Sequence, residues 1–325
     1  MHRTVIGAAL VALLGMSGNA VAQKYPDHPV TMVIPFAAGG PTDVLGRVVA
    51  SKMGEALGQQ VVVENVTGAG GTTGSKRVSD ARPDGYMFGI GTVGTHAQSQ
   101  TLYKKPLYNA STDFTPVGLV AQVPIMLITR KDLPVKDFKE FVTYAKANQS
   151  KMQFGSAGAG SATHLGCVLM NYLIGVNITH VPYRGTGPAM QDLASGRIDY
   201  LCEIITTAKP QVDGGTVKGI AMFDSKRSKA LPNIPTAEEE GTKDLIAYTW
   251  NALFLPKGTP EPIVKTLNAA MVKAMHDPAV KDRLSGLGAE IASDDRATPA
   301  YLGKLVKDET EKWAKPIKAS GVTVD

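Results

Sequence analysis

Beyond residue 22 the chain lacks any apolar run near the ~18 residues that a membrane-spanning helix needs, so no transmembrane segment is expected there. Aromatic residues are scarce, at 6%, and the basic residues are scattered rather than clustered. Nucleic-acid binding would want a basic face with stacking aromatics, so that class is set aside despite the net charge of +5. The usual catalytic signatures are also missing: no GxSxG nucleophile elbow, no GxxxxGK[ST] phosphate loop, no HExxH and no CxxC. Past the first residues the histidines are His28, His96, His164, His180 and His276, without metal-ligand spacing. Together these absences argue against catalysis, a metal or a resident cofactor, and His164 reads as a first-turn helix residue rather than a base.

The first 22 residues carry a short basic start (Met1-His-Arg-Thr), an apolar run of about a dozen residues and a small-x-small site at Ala20-Val-Ala22. This is a secretory signal peptide, with cleavage expected after Ala22 and no Cys following it to take a lipid. The two cysteines, Cys167 and Cys202, then belong to an exported chain, and the compartment favours a disulfide between them. The plainer alternative is two buried small apolar residues.

Strand and helix patterns alternate from residue 30. Strands at 30–35, 61–63 and 87–91 enclose helices at 44–57 and 75–82, a β-α-β-α-β series that implies an α/β sheet with mostly parallel strands. A second series follows: a strand at 119–129, helices at 138–147, 163–174 and 188–195, and strands at 152–155, 178–181, 198–204 and 217–222. After a strand at 251–255 the tail is helical, at 262–275, 278–285 and 298–319. Two α/β units followed by a helical tail point to two lobes with a cleft between them.

Two junctions carry the chemistry. Val33-Ile-Pro-Phe-Ala-Ala-Gly-Gly-Pro-Thr-Asp43 runs from a strand through small residues into a helix start, where bare N–H groups and the helix dipole favour an anion. Thr42 or Asp43 is the expected N-cap. One such loop is often only a tight turn. The arrangement recurs, however, at Phe154-Gly-Ser-Ala-Gly-Ala-Gly-Ser-Ala-Thr-His-Leu165, which adds hydroxyls at Ser156, Ser161 and Thr163. Two such cradles facing each other suit a ligand with a carboxylate at each end.

Three further stretches are candidates. Val181-Pro-Tyr-Arg-Gly-Thr-Gly187 offers Tyr183 as a wall and Arg184 as an anion partner, though a solvated loop arginine is the commoner outcome. Glu203 stands at a strand end beside Cys202, where it would hydrogen-bond either ligand or hinge. Gly89-Ile-Gly-Thr-Val-Gly94 matches the dinucleotide GxGxxG pattern, with Asp113 near the expected distance, but the helix after it is short and poorly amphipathic. Thr92 and Thr95 read better as hydroxyls at the carboxyl end of a strand, where ligands of α/β sheets collect.

These junctions, together with Ser161-Ala-Thr-His-Leu165, Val181-Pro-Tyr-Arg-Gly185 and Phe254-Leu-Pro-Lys-Gly-Thr-Pro260, resemble the Bug-type solute-binding proteins of tripartite tricarboxylate transporters along the whole chain from residue 23. The resemblance implies a type II periplasmic-binding-protein fold: two α/β lobes around a ligand cleft, joined by crossover strands. It implies a first lobe in two pieces, 23–124 and 248–325, with the second lobe at 125–247. It also implies a periplasmic monomer that is not an enzyme, binds a small di- or tricarboxylate (an aromatic dicarboxylate included) and passes it to an inner-membrane permease. By motif the ligand set is Phe36, Ala37, Ala38, Gly39, Thr42 and Asp43 from one lobe and Ser156, Ala157, Gly158, Ser161 and Thr163 from the other, flanked by Thr92 and Tyr183. The competing readings are an exported nucleotide-cofactor enzyme built on Gly89, Gly91 and Gly94, and a sensor that presents ligand to a signalling receptor.

Overall fold

The structure is a computed structural model, and it describes residues 25–324; the signal peptide expected at residues 1–22 lies outside the described residues. The first sheet forms from β1 (Val30–Ile34), β2 (Val61–Asn65) and β3 (Met87–Thr92), with β1 central and parallel to both neighbours. Helix α1 (Pro41–Leu57) follows β1. Pro41 stands where its fixed φ and missing N–H are harmless, and Gly58 ends the helix in the left-handed region at φ 69°. Leu45, Val49 and Met53, four apart, form the buried stripe, and Gly46 lets the helix settle on Ile34 and Ile90. A 3₁₀ turn at Ala69–Gly71 leads into α2 (Thr72–Ser79), which begins three residues earlier than its pattern suggests.

After β3 the expected short helix is a π-helical turn at Gly94–Gln98 followed by α3 (Ser99–Leu102). The long strand β4 (Phe114–Arg130) then runs through both lobes. Its first half pairs antiparallel with β9 (Tyr248–Pro256) and with β10 (Glu290–Ile291). Its second half pairs antiparallel with β7 (Tyr200–Ile204) and with β8 (Val217–Met222). Proline is tolerated in this strand because Pro116 lies at an irregularity and Pro124 stands where pairing passes from β9 to β7. β9 also pairs antiparallel with β3, closing the first sheet onto the crossover.

The second sheet continues from β7 to β5 (Gln153–Ser156) and β6 (Thr179–Pro182), all parallel, with helices α4 (Phe138–Asn148), α5 (Ala162–Ile174) and α6 (Thr186–Ala194) between strands. Helix α7 (Ile205–Asp213) follows β7 directly. The tail supplies α8 (Glu261–His276), α9 (Pro278–Gly286) and α10 (Pro299–Ser320). Ten strands therefore form one curled sheet in two lobes, and Trp250, Phe254 and Tyr200 sit fully buried along it. Among the described residues no helix is long and apolar enough to cross a membrane. Cys167 of α5 and Cys202 of β7 form a disulfide.

Candidate functional site

The loop after β1 is held by its own side chains. Asp43 accepts hydrogen bonds from the Gly39 N–H at 3.0 Å, from Arg47 Nε and from Asn65 Nδ2 at 2.9 Å, while Asn65 also donates to the Phe36 carbonyl. Burial pushes the Asp43 carboxyl up, but these donors more than offset it and hold it below the ordinary carboxylate range. Asp43 thus organises the turn instead of facing a ligand. Nor is Asp43 or Thr42 the N-cap: Gly40 is, and no side chain caps α1. The helix begins three residues earlier than the expected 44 because Pro41 starts it. The N–H groups of Thr42 and Asp43 lie in its first turn, where no i−4 carbonyl is available to them.

The second loop is built the same way. The Gly158 N–H donates to Ser156 Oγ at 3.0 Å, and Ser156 Oγ meets His180 Nε2 at 2.7 Å. The Ala157 N–H donates to Thr163 Oγ1 at 3.0 Å, and Ser161 Oγ donates to the Gly158 carbonyl at 2.7 Å. Ser161 caps α5 by accepting from the His164 N–H. His164 Nδ1 accepts from the Gly160 N–H, so that ring is neutral, and burial pushes its pKa down to about 3. His164 is therefore part of the loop's frame, as expected, and not a base.

Between the loops lies a narrow cavity of about 20 Å³. Of the expected residues, Phe36, Thr42, Thr92, Ala157, Ser161 and Thr163 line it. Ala37, Ala38, Gly39, Asp43, Ser156 and Gly158 shape the loops behind it. Tyr183 is turned away, its hydroxyl donating to Asp192 at 2.8 Å, and Arg184 is exposed. Pro41, Ala162, Thr186, Ile204 and Thr249 complete the lining. Thr186 was legible only as a turn leading into a helix, and Thr249 carried no signal, standing two residues before the strand expected at 251–255.

The cavity's electrostatics come from the main chain. Helices α1, α5 and α6 all start on its wall, and Ile204, the N-cap of α7, lines it too. Each helix start is equivalent to about half a positive charge. No lysine, arginine or histidine lines the cavity, so these dipoles and six hydroxyls are what meets a ligand. Glu203, the last residue but one of β7, lies just behind Thr186 and is fully buried. Its Oε1 accepts from the Thr186 hydroxyl, the Ile204 N–H and the Thr207 hydroxyl, while Oε2 has no partner.

Burial pushes the Glu203 carboxyl up to about 7, against three hydrogen bonds that lower it. In the unfolded chain it ionises near 4.5, so the folded state retains a proton that the unfolded state releases between pH 4.5 and 7. Stability is therefore lost as pH rises through that window, by about 3 kcal/mol from this group. Urea unfolding of Glu203→Gln should show the variant gaining about that much on wild type between pH 4.5 and 8. A constant offset between the two proteins, independent of pH, would refute the buried neutral carboxyl.

The lobes meet through residues without side chains. A Cβ on Gly70 would stand 2.1 Å from the Ala159 carbonyl oxygen, one on Gly94 2.9 Å from the Ala162 nitrogen, and one on Gly187 2.8 Å from the Ala38 oxygen. The Ala37 N–H donates to the Arg184 carbonyl at 3.0 Å, and the Tyr103 hydroxyl lies within hydrogen-bond distance of the carbonyls of both Ala69 and Ala159. The same contacts dispose of the dinucleotide pattern. Gly91 packs against the rings of His96 and Phe254, Gly89 against Val78, and Gly94 against the second lobe, which leaves no room for a pyrophosphate. A roomier groove elsewhere, between residues 224–230 and 288–294, has Lys226 beside Glu290 and His276 within hydrogen-bond distance of Asp294 on its walls. None of the four helix starts reaches it.

Comparison with known proteins agrees with this geometry. The family model for the tripartite tricarboxylate transporter family receptor matches residues 45–322. A UPF0065 protein from the TAR-I ttuE-ttuC' intergenic region of Agrobacterium vitis is 42% identical over 321 residues, 99% of this chain and 92% of that protein. The periplasmic binding protein BugD superposes with a TM-score of 0.90 at 41% identity, covering 92% of this chain and 99% of BugD. MatC of Rhodopseudomonas palustris, solved with bound malate, gives 0.88 at 40% identity over 90% of this chain and all of MatC. The chain belongs to the Bug-type periplasmic solute-binding receptors of the tripartite tricarboxylate transporter family.

Proposed function

We propose that this receptor captures a small di- or tricarboxylate between its lobes and delivers it to an inner-membrane permease of a tripartite tricarboxylate transporter. The observation that carries the reading is the convergence of four helix starts on one cavity lined by hydroxyls and free of cationic side chains. Such a wall suits a carboxylate, whose charge-assisted hydrogen bonds to N–H and O–H groups are short and strong. The N–H groups of Thr42 and Asp43 with the Thr42 hydroxyl form one half of the clamp, and the start of α5 forms the other. MatC is solved with a dicarboxylate, malate, bound. We place the division of the lobes at residues 124/125 and again near 247/248. In support, β4 exchanges β9 for β7 after Pro124, and β9 begins at Tyr248.

Ligand bridging both halves favours the closed arrangement only to the extent that it binds that arrangement more tightly than the open one. Closure then presents a surface assembled from both lobes to the permease. A thermal-shift screen of the chain from Gln23 against aliphatic and aromatic mono-, di- and tricarboxylates, with NAD and NADP included, tests the reading. At about 100 times its dissociation constant a true ligand adds about 2.7 kcal/mol of stability. Shifts confined to a set of di- or tricarboxylates are expected. Shifts with NAD or NADP and none with any acid would overturn it.

A further inference from the structure

The hydroxyl protons around the cavity are not interchangeable. Thr186 is 2% exposed, lines the cavity at the start of α6 and directs its only hydroxyl proton to Glu203 Oε1 at 3.1 Å. That direction holds in either protonation state of Glu203. Oε1 also accepts the Ile204 N–H at 2.9 Å, so a proton on this carboxyl belongs on Oε2, which has no partner. With its proton committed, Thr186 Oγ1 offers the cavity lone pairs alone. Thr163 Oγ1 accepts from the Ala157 N–H and, because Ser161 spends its own proton on the Gly158 carbonyl, donates to Ser161 Oγ at 3.1 Å.

We infer that Thr186, backed by Glu203, is a specificity-determining acceptor for a hydrogen-bond donor carried by the ligand, so that the receptor selects a hydroxy- or amino-substituted dicarboxylate over the unsubstituted acid. This rests on the carboxylate reading above and adds a polarity to it. The N–H donors at the starts of α1 and α5 take carboxylate oxygens, and Thr186, the wall hydroxyl whose proton goes to a buried carboxyl, takes the substituent. Thr186 Oγ1 lies beside the start of α1 across the lobe boundary, 3.7 Å from where a Cβ on Gly40 would stand. A substituent reaching it therefore sits next to the carboxylate held by α1, on the neighbouring carbon. An unsubstituted acid would leave Thr186 Oγ1 buried without its donor, which is costly in a closed cavity.

Titration calorimetry of the wild-type protein with succinate, L-malate and L-aspartate, repeated on Thr186→Val and Thr186→Ser, tests this. Wild type is expected to prefer malate or aspartate over succinate by at least about tenfold. The isosteric Thr186→Val should bring that ratio to within about threefold of unity, and Thr186→Ser, which keeps the hydroxyl, should restore it. The malate and aspartate arms tell a hydroxyl from an ammonium donor. Equal binding of succinate by wild type, or a preference that survives in Thr186→Val, overturns the inference while leaving carboxylate capture standing. Binding of no carboxylate at all overturns both.

Discussion

Substituting Gly70→Ala is expected to weaken carboxylate binding by at least about 100-fold, equivalent to about 2.7 kcal/mol, while the protein remains folded. Gly70 has φ 60° in the 3₁₀ turn after β2, and its Cβ would lie 2.1 Å from the Ala159 oxygen, 3.1 Å from the Ala159 carbon and 3.2 Å from the Ser161 nitrogen. All three atoms are main chain, so no rotamer change relieves the overlap. One loop must retreat by about an ångström, and packed interfaces do not deform smoothly. Ala159 and Ser161 lead into α5, whose first turn walls the cavity, so the retreat removes one half of the clamp from the other.

A second variant separates closure from backbone strain. Gly58→Ala carries a comparable left-handed φ, 69°, with nothing within 4 Å of the new Cβ, and lies at the far end of α1. It should cost about 1 kcal/mol of stability and leave affinity unchanged. Calorimetric titration of both variants, with urea unfolding as the check on folding, decides the matter. A folded Gly70→Ala protein that binds with wild-type affinity would show that the glycine contact is not part of the liganded state.

Much of this architecture was legible in the sequence because it is written in local patterns. The β-α-β alternation, the two small-residue loops and the proline-led helices of the tail follow from spacing and from turn chemistry, and their boundaries shifted by only a few residues. What was hidden depends on distant partners. The apolar run at 119–129 reads as an ordinary strand, and nothing local says that it extends from Phe114 to Arg130 to serve both sheets. Helix α7 was missed because Ile205, Thr206, Thr207 and Pro210 are poor helix formers, and packing against β4 and β8 overrides their propensity. At the site the small-residue loops drew the eye to their own N–H groups. Several of those are consumed internally, Gly39 by Asp43 and Gly158 by Ser156, so that the exposed donors are the helix starts just beyond. The acceptor at Thr186 needed Glu203, 17 residues away, to acquire its meaning.

The disulfide offers the largest expected change in stability. Cys167 and Cys202 are both fully buried and join α5 to β7 across a sequence separation of 35. Closing a loop of that length removes unfolded-chain entropy worth about 4 kcal/mol. The double variant Cys167→Ala/Cys202→Ala should therefore unfold at lower urea, with about that loss of stability and a nearly unchanged slope. Affinity should follow differently. The bridge holds the helix whose start supplies Ala162 and Thr163 to the strand that ends in Glu203 and Ile204, yet β5 already pairs with β7 through Phe154 and Tyr200 and carries the loop that leads into α5. The native frame of the site thus survives without the bond, and binding should weaken by less than about tenfold, because the entropic effect resides in the unfolded chain. A loss of affinity matching the loss of stability would mean instead that the bridge sets the site's geometry. A stability within about 1 kcal/mol of wild type would mean that the packing of α5 on β7 already restricts the unfolded chain to a similar extent.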